Sequence, residues 1–272
     1  MSNEIAPLLL QIAHSLERLA PPPPPEADAT EGNAFRWDGR QLQAVPRLNA
    51  LPLSRFAGAD SQIAALRQNI GALGRGLPSH DMLLWGSRGM GKSALVRAVA
   101  AAEGVALVEA AGDSLNTLPA LFTRLEAAGR PFLLYVDDLA FTASDPQVRI
   151  LRSLLDGGVA ERPANVRLAV TSNHRHLVER SAEDSRHARD AADDQLALVD
   201  RFGLILGFHV PDQPTWLEMV RRHLDAEGLP LDEADAIAFA LARGGRSGRT
   251  AWHYRTELLT RRAAAGSPKE VI

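Results

Sequence analysis

Short apolar runs alternate with amphipathic segments through the middle of the chain. Five runs have the length and composition of strands buried on both faces: residues 82–85, 105–110, 132–136, 166–170 and 204–210. The segments between them carry apolar residues on one face at helical spacing, as in 94–100 and 118–128. Strands that alternate with helices in this way predict a parallel sheet with helices on both sides.

Beyond residue 210 the pattern is helical only. Three amphipathic segments follow the last strand, at 212–227, 232–242 and 250–265. We therefore predict an α/β domain over residues 51–210 and a small helical domain over 211–272.

The N-terminal segment has a separate apolar pattern. Residues 1–20 are predicted to form a helix with one apolar face, and five consecutive prolines at 21–25 end it. Residues 21–50 are interpreted as a proline-rich linker followed by an irregular segment. The helix either docks on its own domain or is a tethered element that binds a protein partner or a second copy.

The loop after the first strand carries the strongest chemical signal. Residues 86–93, GSRGMGKS, fit G-x-x-x-x-G-K-[ST] between a strand and a helix, as a phosphate-binding loop requires. Backbone N–H groups of such a loop turn onto phosphate oxygens, and the helix presents its positive end there. Lys92 would reach the β- and γ-phosphates of ATP, and Ser93 would ligate Mg²⁺. A glycine-rich connecting turn is the alternative. The predicted binding residues are Gly86, Ser87, Arg88, Gly89, Met90, Gly91, Lys92, Ser93 and Ala94.

Polar residues end two later strands. Asp137 and Asp138 follow 132–136, and Asn173 follows 166–170 in the sequence TSN. The carboxyl ends of parallel strands meet at one edge of the sheet, which places these side chains beside the phosphate loop. Asp137 is placed to hold Mg²⁺, usually through water, and Asp138 to orient or deprotonate the attacking water. Asn173 could hydrogen-bond the γ-phosphate or that water. Helix-capping acids and a plain turn residue are the alternatives.

Other signals are weaker. Phe56 and Gly58 precede the first strand and are candidates for the wall around the base, although ordinary packing accounts for them equally well. His174, His176 and His187 match no metal spacing, and residues 179–195 are polar enough to be a solvated segment. The last helices carry a basic cluster that faces nucleotide phosphate, nucleic acid or water: Arg243, Arg246, Arg249, Arg255, Arg261 and Arg262.

Composition narrows the function classes. Apolar residues make up 46% and charged residues 23% of the 272, which is typical of a soluble globular protein. The net charge of −3 does not favour wholesale electrostatic binding to nucleic acid. Because the chain contains no cysteine, disulfide chemistry and cysteine-type zinc sites are excluded. No apolar run approaches a membrane span, and the N-terminus is a poor signal peptide, so we expect a cytoplasmic protein.

The motifs occur together in one order: GSRGMGKS, FLLYVDDL, TSN, DRFG before the last strand, and GGRSGR in the helical tail. From about residue 56 to 262 the chain resembles an AAA+ ATPase, and more narrowly a prokaryotic AAA+ family known as a domain of unknown function. The resemblance implies a P-loop NTPase fold with a five-stranded parallel sheet flanked by helices and a small C-terminal helical lid. Nucleotide would bind between the sheet and the lid.

The resemblance also implies residue roles. Asn173 would be the first sensor, Arg201 an arginine finger given to a neighbouring subunit, and Arg249 the lid sensor, with Arg246 as its rival. Most AAA+ enzymes have Glu where Asp138 stands, and the shorter Asp puts turnover in doubt rather than binding.

Three functions fit these observations. The first is Mg²⁺-dependent ATP hydrolysis by an ATP-dependent homo-oligomer that remodels an unknown partner, with Lys92, Asp138, Asn173 and Arg201 as catalytic residues and Ser93 and Asp137 at the metal. The second is a nucleotide-gated binding module with little turnover, which the Asp at 138 favours. The third is a DNA-associated ATPase like the helicase loaders and initiators, which only the basic lid supports.

Overall fold

The computed structural model of the protein describes residues 2–19, 26–142, 146–157, 162–173, 178–179 and 198–266. The strands are β1 (Ala34–Trp37), β2 (Leu42–Ala44), β3 (Met82–Gly86), β4 (Ala106–Ala110), β5 (Phe132–Val136), β6 (Phe141–Thr142), β7 (Val166–Ser172), β8 (Val178–Glu179) and β9 (Leu204–Phe208). The α-helices are α1 (Ser2–Leu19), α2 (Asp60–Gly74), α3 (Lys92–Ala102), α4 (Leu118–Ala127), α5 (Pro146–Asp156), α6 (Gln213–Asp225), α7 (Glu233–Ala242) and α8 (Gly248–Gly266).

Seven of the strands form the main sheet, in the order β2-β1-β4-β5-β7-β3-β9. Every neighbouring pair is parallel except β1 with β2, and β6 pairs with β8 in a separate two-stranded sheet. The five predicted strands are therefore confirmed, and they are contiguous and parallel in the order β4-β5-β7-β3-β9.

The expected count of five strands is wrong by two, because β1 and β2 extend the sheet at one edge. Both lie in the segment interpreted as linker and irregular. They contain only four and three residues, too few to show an alternating pattern in the sequence. Burial identifies them in the structure, since Phe35, Trp37 and Leu42 are almost fully buried. The Trp37 ring nitrogen also donates a hydrogen bond of 2.8 Å to the Thr117 hydroxyl.

Two apolar layers enclose the sheet, one on each face. Alternate residues of β5 point to opposite layers: Leu134 packs with α4 residues such as Leu121, and Leu133 packs with α2 and α3 residues such as Leu66 and Leu95. Burial on both faces explains why these strands are continuous apolar runs in the sequence.

The C-terminal helices have a core of their own. Trp216 and Val220 of α6, Ala240 of α7 and Tyr254 of α8 pack together and are buried. This helical layer contacts the α/β part at the segment before α2, where Arg55 Nη1 donates a hydrogen bond of 2.8 Å to the carbonyl of His223. The domain boundaries near residues 50 and 210 stay predictions.

The N-terminal helix is present as predicted, and its apolar side chains are exposed. Ile5, Leu8, Ile12 and Leu16 of α1 are each more than half exposed. The proline run at 21–25 lies outside the described residues. Among the described helices, none is both long and apolar enough to cross a membrane.

Candidate nucleotide-binding site

The glycines of the predicted phosphate loop have backbone conformations that other residues rarely adopt. The φ angles of Gly86, Gly89 and Gly91 are 136°, 81° and 87°. At Gly86 an added Cβ would overlap the backbone carbonyl of Phe208 on the neighbouring strand β9. Gly91 caps α3, which begins at Lys92. The loop therefore turns directly into the positive end of a helix, the arrangement that binds phosphate.

Lys92 lies against the loop rather than in open solvent. It is only 6% exposed, and its Nζ donates hydrogen bonds to the carbonyls of Gly86 (2.6 Å) and Ser87 (3.1 Å) and to Asn173 Oδ1 (3.3 Å). Burial lowers the pKa of Lys92, and the carboxylates of Asp138 and Asp137 oppose that change. The cation is thus held between the loop and the ends of β5 and β7.

Asp137 is held by hydroxyl groups from two directions. Ser93 Oγ and Thr171 Oγ1 both donate to Asp137 Oδ1, at 2.7 and 2.5 Å. Burial acts to raise the pKa of Asp137, but hydrogen bonds, first that from Thr171, hold this pKa below its usual value. Burial, followed by the Asp137 charge, raises the pKa of Tyr135 beneath them. Asp137 is accordingly an ionised carboxylate next to the Ser93 hydroxyl.

Asp138 has an unusual backbone and two side-chain partners. Its φ of 52° makes it the one non-glycine residue with a positive φ in the described part of the chain. Its backbone N–H donates to Thr171 Oγ1 at 2.9 Å, and its carboxylate accepts a hydrogen bond from the Asn173 amide. The second carboxylate oxygen lies 3.4 Å from the guanidinium of Arg88. Asn173 therefore links Lys92 to Asp138.

The oxygen ligands at this edge of the sheet fit Mg²⁺. This ion keeps several waters and takes one or two protein carboxylates plus phosphate oxygens. The Ser93 hydroxyl and the Asp137 carboxylate supply that small set. No cluster of three or more His, Asp or Glu side chains suited to a metal occurs within the described residues, and a Mg–nucleotide site does not need one.

A cavity of about 640 Å³ extends from this edge to the helical layer. Its lining includes Phe56 and Gly58, the two residues suggested for the base wall, and Met219, His223 and Trp252 of the helical layer. The sequence did not reveal the last three, because on α6 and α8 they are indistinguishable from core positions. Burial, and then the charges of Arg55 and Arg255, lower the pKa of His223 to about 4, so the ring is neutral at pH 7.

Arg97 and Thr171 also line the cavity and were not assigned roles from the sequence. Arg97 is one helical turn beyond Ser93, and its charge helps to lower the pKa of Asp137. The TSN motif contains Thr171, but only the contacts of its hydroxyl with Asp137 and Asp138 show that it orders the acidic pair.

The arginines assigned by resemblance occupy different places. Arg249 lines the nucleotide cavity, and its backbone N–H donates to the Gly89 carbonyl at 3.0 Å. Arg246 lines only a neighbouring cavity. Arg201 forms an ion pair with Asp156 of α5 and is not a lining residue of the nucleotide cavity. The three histidines considered for metal, and nearly all of 179–195, lie outside the described residues.

The strand order and the phosphate loop give the chain the AAA+ type of P-loop fold. The RuvB Holliday junction branch migration motor of Thermotoga maritima matches with a TM-score of 0.57 and 19% identity, over 81% of this chain and 68% of that one. Two single-substitution variants of that RuvB match with TM-scores of 0.57 and 0.58 and identities of 20% and 18%, over the same shares of the two chains. Identities this low establish the fold alone.

Residues 30–262 match the family described as Protein of unknown function (DUF815). The chain belongs to this family, which confirms the resemblance inferred from its motifs. Among curated proteins the sequence has no significant match.

Proposed function

We propose that this protein is a Mg²⁺-dependent ATP hydrolase of the AAA+ class. The observation that carries the proposal is the bond between Ser93 and Asp137, which joins the phosphate loop to the acidic strand end beside Lys92. ATP would lie in the adjoining cavity, with its triphosphate on the loop and its base toward Phe56, Met219 and Trp252. Bound Mg²⁺ would neutralise charge on the phosphate oxygens.

Different residues of the chain would have different roles in ATP hydrolysis. Loop N–H groups and Lys92 would bind the phosphates, and Ser93 and Asp137 would hold the metal. Asp138 would orient the attacking water or accept its proton, and Asn173 would position Asp138 and the γ-phosphate. Asn173 and Arg88 both contact the Asp138 carboxylate, so an attacking water would have to share or replace one of these partners.

The backbone at residue 138 offers a reason for Asp in place of the usual Glu. Among non-glycine residues, Asn and Asp are enriched at positive φ. A φ of 52° therefore suits Asp better than Glu at this position. The positive φ also changes the direction in which the side chain leaves the backbone, and so the direction from which the carboxylate would approach the attacking water.

Substitution of Asp138 tests hydrolysis against the rival function, a nucleotide-gated module with little turnover. We expect Asp138→Asn to bind ATP normally and to release phosphate roughly 10²–10⁴-fold more slowly, because the amide keeps the shape and the φ preference but lacks the basicity. Asp138→Glu is the companion variant. Wild-type phosphate release no faster than that of Asp138→Asn, in a protein that binds ATP, would favour the module.

The proposal extends to assembly and coupling. Arg201 would complete the site of a neighbouring subunit in an ATP-dependent homo-oligomer, and the cycle would remodel a partner. The exposed apolar side chains of α1 are the surface we assign to that partner or to a second copy. The RuvB structures are described as a branch migration motor. Motor activity is one way in which ATP hydrolysis can be coupled to the remodelling of a partner.

A further inference from the structure

A second cavity, of about 570 Å³, lies beside the nucleotide cavity on the outer side of the phosphate loop. Four arginines line it: Arg88 from the loop, Arg243 and Arg246 from the turn between α7 and α8, and Arg249 from the first turn of α8. No carboxylate is among its lining residues in the part of the chain that the structure describes. We call this the arginine cavity.

The pairing of the arginines shows that the positive charge of this cavity is only partly neutralised, because Arg88 pairs with Asp138 whereas the three lid arginines form no ion pair within the described residues. Elsewhere in the lid, arginines form ion pairs: Arg221 with Glu218, Arg255 with Glu227 and Arg261 with Asp235. Within the described residues Arg243, Arg246 and Arg249 form none, and all three are exposed. The charge of Asp212 also acts on Arg246, but Asp212 is not a lining residue, and four guanidinium groups that converge on one concavity favour an anionic occupant.

The lining also indicates the kind of anion. Guanidinium groups suit phosphate oxygens, and four of them line this cavity together with the Ser87 and Ser247 side chains. Only Met90 and Val210 offer sizeable apolar contact, so the cavity lacks the apolar seats that a bound peptide segment would use. A ligand recognised through its repeated phosphates fits this lining better than a protein segment.

We propose that the arginine cavity binds the phosphodiester backbone of a nucleic acid. The chain as a whole has a net charge of −3, so the interaction is local to the lid turn and the loop rather than a property of the protein surface. The site goes beyond the proposed function, because its occupation does not depend on ATP hydrolysis. The arginine cavity adjoins the proposed catalytic site, since Arg88 also contacts Asp138.

Fluorescence anisotropy with a labelled single-stranded DNA tests the proposal on the full chain. We expect binding that weakens linearly with log salt, with a slope of about 0.7 per phosphate contacted. Arg243→Gln combined with Arg246→Gln should lower that slope by about 1.4 and weaken binding at low salt. Arg262→Gln removes one charge from an exposed position of α8 outside the cavity and should leave both unchanged, whereas Arg243→Gln alone, its matched variant, should lower the slope by about 0.7.

Four results would overturn the site, and the last of them is seen on addition of ADP. One is absence of DNA binding at low salt. Another is equal weakening by Arg262→Gln, which would mean that the charge acts diffusely. A third is displacement of the DNA by polyglutamate at equal charge concentration, which would assign the cavity to an acidic protein segment. Addition of ADP separates the two cavities: DNA that ADP displaces was bound on the phosphate loop, and the proposal fails; DNA that stays bound supports it.

Discussion

Ser93 Oγ and Asp137 Oδ1 are 2.7 Å apart, although 44 positions separate the two residues in the chain. One belongs to the first turn of α3 and the other follows β5, two strands away from β3 in the sheet. Their contact joins the phosphate loop to the acidic strand end. Because both side chains offer oxygen atoms that can ligate a metal, the pair suits a hard cation.

The contacts of Lys92 predict a loss of nucleotide affinity on substitution. Hydrogen bonds to charged groups contribute about 1.5–3 kcal/mol, so we expect Lys92→Ala to weaken ATP binding by about 10- to 100-fold. Lys92→Arg keeps the charge but changes its shape, and we expect an intermediate effect. Isothermal titration with ATP, alongside circular dichroism to verify folding, measures both. A folded Lys92→Ala protein with wild-type affinity contradicts the assignment.

Arg201 is predicted to act on a neighbouring subunit. Arg201→Ala should bind ATP normally but hydrolyse it roughly 10³–10⁵-fold more slowly, because the γ-phosphoryl charge loses its partner. A mixture of Arg201→Ala and Lys92→Ala should regain activity, since some interfaces would pair an intact loop with an intact finger. Specific activity of the wild type should also rise with protein concentration.

The ion pair with Asp156 provides a control for Arg201. Asp156→Asn removes the pair but keeps the guanidinium, so this variant should hydrolyse ATP at least as fast as the wild type. If Asp156→Asn is as slow as Arg201→Ala, the arginine serves the structure of its own subunit. Co-assembled mixtures that stay inactive lead to the same conclusion.

Gly86 is predicted to tolerate no side chain. Gly86→Ala combines strain at a φ of 136° with overlap on the Phe208 carbonyl, and we expect the free energy of unfolding to fall by roughly 3–5 kcal/mol. Gly104→Ala is the matched control: its φ is 67°, but a Cβ there meets no atom within 4 Å, so it should cost only about 1 kcal/mol. Urea unfolding compares the two, and equal costs would mean that the overlap is relieved easily.

Neutral His223 predicts a loss of stability in mild acid. Its pKa is about 4 in the folded protein and near 6.5 when unfolded, so between these values the unfolded chain binds a proton that the folded one does not. The free energy of unfolding should fall as the pH drops from 7 toward 4, by at most about 3 kcal/mol from this group. His223→Gln should lose less over the same range, whereas exposed His253→Gln should behave as the wild type. If the free energies of unfolding of wild type and His223→Gln change with pH in parallel, protonation of His223 is not the cause of the loss.

The sequence predicted the parts of the site that local rules determine. The loop glycines and Lys92 form a contiguous motif, and Asp137 and Asn173 end strands whose parallel arrangement follows from the alternation of elements. The part of the nucleotide cavity that the lid helices line could not be predicted in this way. His223 and Trp252 come from two lid helices, and nothing in an amphipathic pattern distinguishes a residue that faces a cavity from one that faces the core. Strands β1 and β2 were missed because three or four residues are too few to show the alternation of apolar and polar positions that identifies a strand.

The lid touches the α/β part at two places beside the nucleotide cavity, where the Arg249 N–H donates to the Gly89 carbonyl and Arg55 donates to the His223 carbonyl. Opening of either contact would widen the route by which a bound ligand leaves. Its residence time would then depend on how often these contacts open as well as on the strength of the phosphate contacts. The dissociation and association rates of the nucleotide would then slow or accelerate together. The lid would thus set the rate of nucleotide exchange while the equilibrium affinity stays nearly constant.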